Sequence, residues 1–309
     1  MVRRSIIVLV SLALLLAACG PVSIGQILGG HSSITLTDGL KRSVSLAGPA
    51  QRIVSLAPSN TEILFAIGAG SQVVGRDSFS DYPAQAKPLA DIGGSMGNYN
   101  TEAIVALHPD LVLAGEINTP DLVASLQKLG LSVFYLPNPT TLDGLYANLT
   151  TVGSLTGHTA QAAALISSLK VRVAAVDAKV AAASSHPSVY YELDATDPTK
   201  PYTAGPGTFV DLLIARAGGT NFGATLKDAW AQISLEQLVV GDPSIVVLGD
   251  SAYGVTPDSF ASRPGLAGLA AVKNMQVYPF DDNLVSRPGP RLVDGLEALA
   301  KLIHPELYK

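Results

Sequence analysis

The sequence predicts an α/β protein of two lobes, each a parallel sheet covered by helices, with one long helix joining them. Three observations carry that prediction. Residues 158–186 hold neither Gly nor Pro, in a chain that has 29 Gly and 20 Pro among 309 residues. This stretch therefore suits one unbroken helix of roughly 40 Å, at ~1.5 Å per residue. Leu165, Leu169, Val173, Val176 and Val180 recur along it at three- and four-residue spacing, an apolar stripe with Lys170, Asp177 and Lys179 between its positions. Similar material stands on both sides. Glu102-Ala-Ile-Val-Ala-Leu-His-Pro109-Asp-Leu-Val-Leu comes before, and Glu236-Gln-Leu-Val-Val-Gly-Asp-Pro243-Ser-Ile-Val-Val comes after, with Glu, apolar and Pro positions matching without a gap.

The chain opens with Arg3 and Arg4, then a continuous apolar run from Ile6 to Ala18 that ends in Leu16-Ala-Ala-Cys19. That run is too short for a permanent membrane span and reads as a secretory signal, residues 1–18. The small residues before Cys19 resemble a bacterial lipoprotein box, so Cys19 is expected to carry lipid and to become the first mature residue. Cys19 is also the only cysteine, which excludes disulfides within the chain. Loss of the signal removes two of 20 basic residues and none of 25 acidic ones, taking the net charge from -5 to 18 minus 25, or -7. Nucleic acid is not an expected partner. Residues 19–33, rich in Gly and Ser, read as a flexible tether.

The folded body is expected from Ile34, where alternation on both sides of Asp38-Gly39 predicts a hairpin with a tight Asp-Gly turn. Short apolar strands then alternate with helices. Ile53–Leu56 precedes a helix whose start is predicted at a Ser59-Asn-Thr-Glu62 capping box. Helices from Thr101, from Asp121 and from Leu142 alternate with strands at Leu111 and Val133. Residues 34–157 form the N-terminal lobe, 158–186 the interlobe helix and 187–309 the C-terminal lobe. The second lobe repeats the alternation, with strands at Val189, Ile245 and Val277, a helix from Thr208 and a last helix starting at Pro290, whose Leu292, Leu296, Leu299 and Ile303 form a buried stripe. Such alternation implies parallel sheets covered on both faces, and a cleft between the lobes.

Four motifs in order, Arg52-Ile-Val-Ser-Leu-Ala-Pro-Ser-Asn-Thr-Glu62, Ser80-Asp-Tyr-Pro83, Glu102-Ala-Ile-Val-Ala-Leu-His-Pro-Asp-Leu-Val and Arg287-Pro-Gly-Pro-Arg291, give a resemblance running from Ile34 to the C-terminus. The chain resembles the helical-backbone class of substrate-binding proteins that serve ABC importers of iron complexes and cobalamin, and within it the cobalamin binders. The resemblance implies two Rossmann-like lobes (the class III periplasmic-binding-protein fold) and a monomer anchored by lipid on the extracytoplasmic face of the cell membrane. Such a protein captures a corrinoid and delivers it to a permease and its ATPase. The cobalt corrinoid is cargo, and no resident cofactor or metal is expected. Haem or an iron-siderophore complex is the alternative cargo.

The resemblance also assigns residues. Glu102 and Glu236 fall where the class carries one glutamate on the outer end of each lobe to dock with permease arginines, and both follow a cap residue, Asn100 or Ser234, where the helix dipole favours a carboxylate. The ligand-facing set is Ser59, Asn60, Phe79, Met96, Tyr99, Tyr202, Trp230, Asn283 and Arg287. Phe79, Tyr202 and Trp230 fall on or near aromatic positions of the cobalamin binders. Met96 and Gly115 replace tryptophans there, which implies a less aromatic cleft. Trp230 lies in the mixed stretch Leu226-Lys-Asp-Ala-Trp-Ala-Gln-Ile233, outside any periodic apolar run. Arg287 precedes a Pro-Gly bend that can hold its donors rigid. Arg291 reads as structural, one turn into the last helix.

Two other chemistries are weaker. Gly93-Gly-Ser95-Met-Gly97 matches the G-x-S-x-G motif of anchored serine hydrolases. That motif needs a buried strand before it and a helix directly after it, and the residues here supply neither. The five histidines at 31, 108, 158, 186 and 304 show no close pair, which argues against a zinc or manganese binder. Tyr99 or Tyr202 could ligate haem iron as tyrosinate.

Overall fold

The computed structural model describes residues 33–94 and 97–309. The expected signal, Cys19, the tether up to residue 32, Ser95 and Met96 lie outside the described residues. Among the described residues no helix is long and apolar enough to cross a membrane.

The N-terminal lobe runs β1 (Ile34–Thr37), β2 (Ser43–Leu46), β3 (Ile53–Ser55), α1 (Pro58–Ala66), β4 (Val73–Arg76), β5 (Ala90–Asp91), α2 (Thr101–Ala106), β6 (Leu111–Gly115), α3 (Pro120–Lys128), β7 (Val133–Leu136) and α4 (Leu142–Thr156). Its five-stranded sheet, in the order β5-β4-β3-β6-β7, is parallel throughout. The hairpin forms as expected. Its turn does not: five residues separate the strands, and Asp38 organises them by accepting the N–H groups of Leu40 and Arg42 at 3.0 Å each and that of Tyr135 at 3.2 Å. Lys41, not Gly39, takes the left-handed conformation, with φ 63°.

Pro58 at the first turn starts α1 one residue before Ser59, with Ala57 at the cap and no side-chain cap bond. The predicted capping box is therefore absent, and Glu62 is free to bond elsewhere. The interlobe helix α5 (Thr159–Val180) has 22 residues, about 33 Å, and not the whole stretch to His186. Pro187 disfavours helical backbone at His186, and the His186 ring Nδ1 lies 2.9 Å from the Gly218 carbonyl oxygen. Leu169, Val173 and Val176 of α5 are buried in one apolar cluster with Leu149 and Val152 of the first lobe and Leu296 and Ile303 of the second. The predicted stripe is thus the seam through which one core spans both lobes.

The C-terminal lobe comprises β8 (Ser188–Asp194), β9 (Tyr202–Ala204), α6 (Phe209–Arg216), β10 (Thr220–Asn221), β11 (Trp230–Gln232), α7 (Leu235–Gly241), β12 (Ile245–Leu248), α8 (Pro257–Ala261), α9 (Ala270–Lys273), β13 (Val277–Pro279), α10 (Asn283–Ser286) and α11 (Leu292–Ile303). β8, β12, β13 and β10 run parallel, but β9 and β11 run antiparallel to their neighbours, so this sheet is mixed. α11 begins two residues after Pro290, with Arg291 at its cap and not one turn inside it.

The internal repeat holds to the residue. Thr101, Glu102 and Leu111 correspond to Leu235, Glu236 and Ile245 as helix start, first-turn carboxylate and strand start. The connecting turns each carry one non-glycine residue at positive φ at the same place, His108 at 46° and Asp242 at 39°.

Candidate functional site

Segments that leave the carboxyl ends of parallel strands in the two lobes meet each other. Arg287, in the segment after β13, reaches Asp81, in the segment after β4, with NH1 2.7 Å from Oδ1, and Glu62 of α1 at 3.3 Å. A Cβ placed on Gly289 would lie 3.5 Å from the Ser59 carbonyl oxygen and 3.7 Å from Glu62 Cβ. Open α/β sheets present ligand sites at these ends.

On the N-terminal side Phe79, Tyr82 and Ile117 stand exposed in the segments that leave β4 and β6. Phe79 is held from below by the buried Asp77, whose carboxylate accepts the Phe79 N–H at 2.9 Å and the Ser80 hydroxyl. Ser80, Thr61 and Ser55 continue this as a chain of buried hydroxyls at 2.8 Å steps. Burial pushes the Asp77 carboxyl above its ordinary range.

On the C-terminal side the pairing of β11 with β9 sets Trp230 opposite Ala204 and Gln232 opposite Tyr202. Directly paired residues share a face, so Trp230 and Tyr202 are diagonal neighbours on one side of the sheet. They are 43% and 41% exposed, which separates them from core aromatics such as Tyr190 and Tyr191 at 0%. Phe209 meets Trp230 edge-on, at 6.1 Å between centroids. Tyr253, 90% exposed, follows β12.

The other expected contacts sit differently. Asn60 is buried, and its amide donates to the Leu113 carbonyl at 3.1 Å, tying α1 to β6. Ser59 is buried against Gly289. The Tyr99 hydroxyl donates to Leu56 O at 2.9 Å and accepts from Asn118 Nδ2 at 2.7 Å. Burial and then the Asp77 charge push its pKa up to about 12, which works against a tyrosinate. Asn283 opens α10 and donates to Asp281 at 2.9 Å. Arg287 is engaged by two carboxylates. Met96 lies outside the described residues.

Glu102 and Glu236 are exposed, in first turns capped by Asn100 and Ser234. Each helix descends from the carboxyl edge of its sheet to the next strand's start. Tyr82, Ile117 and Tyr253 were not singled out from the sequence. The available signal is a large apolar residue within a few positions of the end of a parallel strand.

The G-x-S-x-G region lacks the required frame. β5 is two exposed residues at the sheet edge, and α2 starts only at Thr101. Among the described residues no group of three or more His, Cys, Asp or Glu side chains is placed to hold a metal ion.

The periplasmic binding protein family model matches residues 53–284. The chain belongs to this family. It is 34% identical over 281 residues to a cobalamin-binding protein of Halobacterium salinarum, covering 88% of this chain and 74% of that one. It is 32% identical over 281 residues to YvrC of Bacillus subtilis, an uncharacterized ABC transporter substrate-binding lipoprotein, covering 89% and 87%. Among solved structures it is similar to the periplasmic haem-binding protein RhuT of Roseiflexus, with TM-score 0.75, 29% identity and coverage of 84% and 99%. It is also similar to the periplasmic vitamin B12-binding protein BtuF of Vibrio cholerae, with TM-score 0.72, 27% identity and coverage of 84% and 99%. As a family member it is a substrate-binding protein of the ABC-transporter class whose relatives bind cobalamin, haem or iron complexes, with the two-lobe α/β architecture that the sequence predicts.

Proposed function

We propose that the protein captures cobalamin or a related corrinoid between its lobes and delivers it to a membrane permease driven by an ATPase, with no catalysis of its own. The observation that carries this reading is the set of exposed aromatic and apolar side chains, Phe79, Ile117, Tyr202, Trp230 and Tyr253, that the two lobes offer in the segments after β4, β6 and β12 and on the paired strands β9 and β11. A flat macrocycle can lie against such faces. Exposed carboxylates on the same loops, Asp81, Glu116, Asp194 and Asp281, can accept hydrogen bonds from the amides that fringe a corrin ring. The cobalamin-binding relatives support the choice of cargo. For haem, Tyr99 is poorly placed as an iron ligand, with its hydroxyl bonded to Leu56 and Asn118, which leaves Tyr202 as the candidate ligand of that alternative cargo.

Absorbance titration with cobalamin, cobinamide and haem tests the cargo. Stoichiometric corrinoid binding is expected, and a protein that took haem alone would overturn the choice. Lipid attachment at Cys19 would place the site outside the cytoplasm beside its permease, consistent with the lipoprotein relative. Cys19→Ser is expected to release the protein into the soluble fraction.

A further inference from the structure

We infer that Asp81 sets the charge preference of the cleft by neutralising Arg287, so that the site admits neutral or cationic macrocycles rich in hydrogen-bond donors and turns away anionic ones. This rests on reading the cleft as a macrocycle site. A guanidinium at the lip of a cleft is ordinarily the group that receives carboxylates and phosphates, through its planar fork of donors. Here Arg287 NH1 is 2.7 Å from Asp81 Oδ1 and 3.3 Å from Glu62 Oε1. The Asp81 side chain is 56% exposed and that of Arg287 only 13%, so the carboxylate stands on the solvent side of the guanidinium. Against the upward pull of burial, the hydrogen bond and charge of Arg287 hold the Asp81 carboxyl below its ordinary range, so Asp81 keeps its charge throughout the neutral range. Glu62 does not make Asp81 redundant, because its two oxygens are already bonded to Arg291 at 2.6 and 2.8 Å. Asp281, Asp194 and Glu116 add negative charge on neighbouring loops. An anionic ligand entering this mouth meets like charge and a guanidinium whose NH1 is already shared by two carboxylates, whereas ligand amides or a cationic metal centre find acceptors.

The test compares wild type, Asp81→Asn and Asp81→Glu by titration with cobinamide and with haem, at low and high salt. Asp81→Asn is expected to raise haem affinity relative to cobinamide by about tenfold or more at low salt, with the gain shrinking in high salt, while Asp81→Glu behaves as wild type. A merely structural role would shift both ligands together. If Asp81→Asn, shown folded by circular dichroism, left the ratio of the two affinities unchanged, this inference would fail while the corrinoid reading stood. Wild-type protein that bound haem as tightly as cobinamide would also defeat this inference while corrinoid binding stood, whereas wild-type protein that bound haem alone, or neither, would overturn both.

Discussion

Glu62 of the first lobe and Arg291 of the second form a bidentate ion pair across the interlobe seam, with Nε 2.8 Å from Oε2 and NH2 2.6 Å from Oε1. Glu62 is 2% exposed, and the Arg291 guanidinium also stacks on the Tyr82 ring at 4.1 Å. Together with Arg287, the pair fastens the lobes by polar contacts beside the apolar core that runs along α5.

Removing one partner of a buried pair leaves the other charge uncompensated. Glu62→Ala is therefore expected to destabilise the fold by ~3–5 kcal/mol. Urea denaturation measures this, and a loss near zero would mean that water already screens the pair.

Trp230→Ala is expected to weaken corrinoid binding by ~1–3 kcal/mol, the range for a central aromatic contact. The fold should survive, since the indole is only half covered and touches Phe209 by an edge. Titration beside a circular dichroism melt separates the two effects; unchanged affinity would remove Trp230 from the site.

Glu102 and Glu236 stand at equivalent first turns in the two copies of the repeat. The double change to Ala is expected to leave solution binding intact and to lower uptake through a reconstituted importer. Reversal to Lys should lower it further, by adding repulsion against permease arginines. Weaker binding in solution by the double variant would contradict a docking role.

Asp250 is buried, with Oδ2 accepting the Ala195 N–H at 3.0 Å and Oδ1 without a partner among the described residues. Burial, then the nearby Glu192 charge, push its pKa from 3.8 up to about 6. The folded chain thus holds this proton more tightly than the unfolded one. That contribution to stability is complete below about 3.8 and is lost as pH rises through about 6. Asp250→Asn mimics the neutral acid, so it is expected to gain ~1–2 kcal/mol at pH 8, below the ~3 kcal/mol ceiling that such a shift allows. Near pH 4 the gain should vanish. Denaturation curves at both pH values check this, and an equal effect at both would exclude titration as the cause.

The sequence alone determined the two lobes, the strand-helix alternation, the joining helix and the positions of Glu102 and Glu236. Those features are local or periodic: a stripe such as Leu169, Val173 and Val176 specifies a buried helical face wherever the chain goes, and a repeat without gaps specifies equivalent turns. Only the tertiary structure decided what the polar side chains do. Ser59 and Glu62 have capping-box spacing, but Pro58 starts the helix early and Glu62 meets arginines 225 and 229 residues away. Arg287 reads as a ligand donor until Asp81 is found beside it, and Asn60 until Leu113 is. Periodicity reports which face is buried. The partner of a charge or an amide depends on which distant segments the fold brings within 3 Å, and no local pattern encodes that.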